Sequence, residues 1–118
     1  MKKYILFVLT LALTGLIPLP VQAQEWNAKR IAEMVGAMSW CTNNAAKNTS
    51  EASIYQSARR AGTRALEMAI NDGQIQSRDT LKILRAVESE GTYLNNKLNR
   101  EKCHEIWESV NDSLVFVP

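Results

Sequence analysis

Cys41 and Cys103 each fall on an apolar stripe of helical period, and this places a tight constraint on the fold. The first stripe runs Ile31, Met34, Val35, Met38, Cys41 and Ala45, and the last runs Cys103, Ile106, Trp107, Val110 and Leu114. Laid antiparallel with the cysteines facing, the stripes bring Met38 to Ile106 and Trp107, and Met34 and Val35 to Val110. Ile31 then approaches Leu114. One register serves both a bridge and two apolar faces, so the spacing predicts a Cys41–Cys103 disulfide joining the first and last helices. Closing a loop of that length stabilises by about 4 kcal/mol in the chain-entropy model. Against a total of about 5–15 kcal/mol for a domain, that is a large share.

The N-terminus says where such a bridge would form. Lys2 and Lys3 precede an apolar run from Tyr4 to Ile17, Pro18 and Pro20 break it, and Val21-Gln22-Ala23 sets small residues at a cleavage position. The run is short for a membrane span of about 20 residues. No cysteine follows it to accept a lipid. Residues 1–23 therefore read as a secretory signal peptide and 24–118 as a single helical domain, periplasmic or secreted, with no stable membrane anchor after cleavage. An exported chain with two cysteines is expected to pair them. Removing Lys2 and Lys3 from 14 basic residues leaves 12 against 12 acidic ones. The excess positive charge belongs to the leader, which argues against nucleic acid as a partner.

No proline lies between residues 21 and 117 and the periodicity is helical throughout, so the expected fold is all-α. It is a small four-helix, largely up-and-down bundle stapled by one disulfide. The first helix is expected over about Asn27 to Ala46. Asn48, with Glu51 three residues on, starts a second that runs to Asn71, and Gly73 supplies its C-cap. Ala58, Ala61, Gly62, Ala65 and Ala69 let a neighbouring backbone come close to that helix. Ser77 or Asp79 caps a third helix bearing Leu81, Ile83, Leu84 and Val87, with a break between Gly91 and Asn96. The fourth spans about Arg100 to Ser113, and the apolar tail Val115 to Val117 is expected to pack back on the bundle.

The stretch Arg100-Glu101-Lys102-Cys103-His104-Glu105-Ile106-Trp107 invites chemical readings. Adjacent helical residues diverge by about 100°, so Cys103 and His104 serve each other poorly as nucleophile and base. Glu101 and His104 spell half of a di-iron motif, but that site needs two such motifs and further carboxylates, and the chain has one histidine. His104 is expected on an outward acidic face with Glu101, Glu105, Glu108 and Asp112, away from the methionines that a haem would need. Arg59, Arg60 and Arg64 read as a solvated face. Asn48-Thr49-Ser50 and Asn111-Asp112-Ser113 match a glycosylation sequon that has no role behind a bacterial-type leader. No phosphate loop, nucleophile elbow or Cys-x-x-Cys is present. No catalytic residue, metal ligand or cofactor is assigned.

With catalysis unsupported, the expected function is that of an exported, non-enzymatic protein-binding module of the bacterial cell envelope. In layout the chain resembles the periplasmic amidase-immunity proteins of type VI secretion, which are also small, exported and helical. The resemblance implies a partner that is another protein, a toxin or peptidoglycan-acting enzyme that this chain blocks. The alternative is an acid-stress periplasmic chaperone, which must loosen as its carboxylates protonate. The expected binding surface is Trp40, about 150° from the middle of the first helix's stripe at 100° per residue. Gly36, Asn43 and Asn44 share its side. An aromatic ring among small and polar groups suits an interface anchor, for a partner or a homodimer, unless another element covers it.

Overall fold

The computed structural model describes residues 26–113. The expected signal peptide, Leu114 and the C-terminal tail lie outside the described residues. Four helices follow in order: α1 (Ala28–Asn44), α2 (Thr49–Asn71), α3 (Ser77–Glu90) and α4 (Arg100–Ser113). Between α3 and α4 sits a short antiparallel hairpin, β1 (Thr92–Tyr93) and β2 (Asn96–Lys97), with Thr92 opposite Lys97 and Tyr93 opposite Asn96.

Asparagine side chains start three of the helices. Asn27 Oδ1 accepts from Arg30 N–H at 2.8 Å, Asn48 Oδ1 from Glu51 N–H at 2.9 Å, and Asn99 Oδ1 from Lys102 N–H at 2.8 Å. Each satisfies an amide that the first helical turn leaves without a carbonyl partner. α3 differs from expectation: Gln76 occupies its N-cap without a side-chain bond, and Ser77 is its first helical residue. Gly73 (φ 77°) and Gly91 (φ 67°) end α2 and α3 in the left-handed conformation that costs glycine least.

The bundle is helical, and the disulfide joins α1 to α4 as the register requires: Cys41 and Cys103 are bonded, with Cα atoms 5.9 Å apart and 62 residues of separation. Both cysteines are fully buried. They join Ile31, Met34, Val35, Met38, Tyr55, Ala58, Ala65, Leu66, Ile106 and Val110 in one core. Trp107 is only half-buried against it. No helix among the described residues is long and apolar enough to cross a membrane.

α1 is the central helix. α2 closes on it through Gly62, where a Cβ would collide with Met34 and Val35. α3 closes on a second side through Gly36, where a Cβ would collide with the Leu84 carbonyl. Gly36 is buried, which corrects the expectation that it shares an exposed binding surface with Trp40. A wheel that weighs only large apolar residues finds one inward face. α1 has another built from small residues, and small residues allow close backbone approach.

Candidate functional site

The residues expected to bind a partner are not brought together as one exposed patch. Gly36 lies beneath α3, and Trp40 is half-buried against the core, its indole Nε1 only 2.8 Å from where a Cβ at Gly91 would stand. Ser39 donates to Glu88 Oε2 at 2.8 Å on the same flank, so the end of α3 covers this side of α1. Asn43 and Asn44 remain exposed, and Asn44 Nδ2 donates to the Trp40 carbonyl at 3.0 Å. Covering by another helix is the outcome that the wheel left open.

His104 also differs from expectation. It is not on the solvated acidic face but half-buried towards α2, its ring edge-on to Tyr55 at 5.6 Å between centroids and to Trp107 at 6.4 Å. Its Nε2 lies 3.6 Å from Glu51 Oε2. Glu51 is buried at the start of α2, where its carboxylate pairs with Arg100 and accepts Lys47 N–H at 2.9 Å. Hydrogen bonding from Arg100, then from Lys47, holds the Glu51 carboxyl at about 2, against the opposing pull of burial. Glu51 was legible as a helix-start residue, but its role as the ionic tie between α2 and α4 was not. Burial pushes the neighbouring Tyr55 phenol upward. This cluster is a structural joint: its carboxylate is already saturated by donors from the chain itself. Among the described residues no group of three or more His, Cys, Asp or Glu is placed to hold a metal.

The strongest site is one that sequence reasoning missed, a groove of about 190 Å³ between the start of α1, the hairpin and the outer side of α4. Ile106 and Ser109 of α4 and Trp26 and Arg30 at the start of α1 share its lining. Arg30 stands at the aromatic wall, with Cζ 5.2 Å from the Trp26 ring centroid and 5.9 Å from that of Tyr93. Tyr93 is buried, which pushes its phenol upward while Arg30 pulls the other way. Lys102 and Glu105 close the α4 side as a pair, 3.6 Å apart.

At the rim stands Leu94, an apolar side chain with 46% of its surface exposed, at the tip of the hairpin. Leu94 (φ 50°) and Asn95 (φ 67°) both have left-handed backbone, as a two-residue type I′ turn requires. Asparagine and glycine suit that turn, whereas leucine there costs about 1–3 kcal/mol. Asn96 Nδ2 braces the tip by donating to the Leu94 carbonyl at 3.1 Å, and Leu98 N–H donates to the Gly91 carbonyl at 2.8 Å across the hairpin base. The sequence signal was the Leu94-Asn95-Asn96 run. It reads as a helix break, but strands of two residues fall below what alternation can reveal.

No protein-family model matches the chain, and no match was found among curated proteins or solved structures. The geometry alone therefore carries the functional reading.

Proposed function

We propose that this protein is an exported, non-enzymatic module that binds another protein through the hairpin groove. Its class is that of an inhibitor or immunity-type protein of the bacterial cell envelope, with a toxin or peptidoglycan-acting enzyme as partner. The observation that carries the reading is Leu94. A large apolar side chain held in strained backbone and pointed at solvent is costly twice over, and such residues cluster where binding needs them. Beside it the groove offers an aromatic and arginine wall, the residue types enriched in interface hot spots. The charges there are matched within the chain: Lys102 pairs with Glu105, and Arg30 lies against two rings. Those features suit a largely uncharged protein segment better than a reacting ion.

The disulfide fits an oxidising, non-cytoplasmic compartment. The leader-like N-terminus makes that compartment the periplasm or the exterior. The chaperone reading needs structure to loosen in mild acid. The tie from Glu51 to Arg100 stays whole down to about pH 4.5 and is lost only as pH falls from there towards 2, so the inhibitor reading is preferred. The test is affinity capture from envelope extracts with wild type and Leu94→Asn in parallel, followed by measured affinity for the captured protein. A partner that wild type retains and the variant releases supports the proposal, and equal retention contradicts it.

A further inference from the structure

Two exposed helix faces carry charges of opposite sign at identical spacing. On α3 these are Arg78, Lys82 and Arg85, followed by Ser89, and on α4 they are Glu101, Glu105, Glu108 and Asp112. Steps of four, three and four residues keep each set within about 60° of arc at 100° per residue. All eight side chains are exposed. Among the described residues Arg78 reaches only Gln76 Oε1, at 3.4 Å, and no salt bridge joins Lys82 or Arg85 to a carboxylate. The acidic residues of α3 lie off its stripe: exposed Asp79 follows Arg78 in the first turn, Glu88 accepts from Ser39, and Glu90 accepts from Thr92 at 3.4 Å. A shallow groove follows the basic stripe, with exposed Leu81 along it.

We infer that the α3 stripe of one copy docks antiparallel on the α4 stripe of a second copy. The pairs are Arg78 with Asp112, Lys82 with Glu108 and Arg85 with Glu105, which also meets Lys102 of its own helix at 3.6 Å, with Ser89 reaching Glu101. Two features of the isolated chain favour this occupant. Like charges four residues apart destabilise a helix, and this chain carries such repulsion on two helices with opposite signs. Arg78 in the first turn of α3 and Asp112 in the last turn of α4 also each oppose their own helix dipole. Antiparallel docking sets the N-terminal end of one helix against the C-terminal end of the other and relieves both conflicts. An anionic membrane would neutralise α3 but leave the carboxylates of α4 repelling it.

Exposed ion pairs are individually weak, so the association is salt-dependent. Sedimentation equilibrium of the exported protein at about 10 mM salt, where charges are felt over about 30 Å, should show self-association that disappears near 0.5 M. Lys82 and Glu108 do not line the hairpin groove, although Glu105 of the same acidic stripe does, so the substitutions Lys82→Glu and Glu108→Lys leave the groove's own lining unchanged. Each variant alone should weaken self-association about tenfold or more, because like charges then face each other. The double variant restores the pair with its sign reversed and should return to within about threefold of wild type on the same reasoning. A protein that stays monomeric at low salt overturns the inference. So does a double variant that fails to recover, or a monomer that binds vesicles rich in anionic lipid.

Discussion

Glu51 and Arg100 tie the beginning of α2 to the beginning of α4. Arg100 Nε donates to both carboxylate oxygens, at 3.2 and 3.0 Å, and Nη2 contacts Oε2. Lys47 N–H completes the shell of the same carboxylate. The tie stands close in sequence to the disulfide, since Arg100 precedes Cys103 by less than one helical turn. The covalent and ionic links therefore fasten the same end of α4.

The pair has a pH signature whose sign is fixed. The Glu51 carboxyl is lowered from 4.5 to about 2, so its stabilisation is complete above about pH 4.5 and is lost as pH falls towards 2. Arg100→Gln removes the largest cause of that shift. Wild type should exceed the variant in stability by a constant margin from pH 7 to about 4.5, and the two should converge towards pH 2. Urea denaturation across that range checks it. A margin that grows in acid would contradict the account.

The Cys41–Cys103 bond closes a separation of 62 residues. Cys103→Ser should cost about 2–5 kcal/mol, enough to bring a domain of this size near its folding threshold. Non-reducing peptide mapping should recover the linked pair, and two free thiols in exported protein would refute it.

Close approach of α3 to α1 depends on Gly36. Gly36→Ala should cost about 1–3 kcal/mol by overpacking against the Leu84 backbone. Trp40→Ala should lower the melting temperature too, though by less than the 3–5 kcal/mol of a fully buried tryptophan, because the ring is half-buried. Thermal unfolding of both variants measures this. An unchanged melting point for Trp40→Ala would return that residue to the role of an interface anchor.

The contrast between Gly36 and Cys41 shows which parts of the fold were legible in the sequence. Cys41 lies on a stripe of large apolar residues, and such stripes reveal helices, their facing sides and, with Cys103, their register. Gly62 and its alanines could be recognised in the same way, as a stripe. Gly36 follows Ala28 and Ala32 at steps of four on a stripe of small residues only, and nothing local says that a carbonyl from α3 presses on it. Glu51 and Arg100 are 49 residues apart, so their pairing is a product of the tertiary fold. The groove depends on the hairpin, and a two-residue strand leaves no periodic trace. The capping asparagines, by contrast, act within three residues and can be read directly.

The central claim is that Leu94 is kept in a strained turn for the sake of a partner, and one substitution tests it from both sides. Leu94→Asn supplies a residue that type I′ turns favour, so it should raise stability by about 1 kcal/mol. It also removes the apolar rim of the groove, so titration calorimetry against the captured envelope protein should show binding weakened about tenfold or more, on the scale of an interface hot spot. A variant that is more stable and binds less well is the predicted result. A variant that binds its partner as tightly as wild type would contradict the account, whatever its stability.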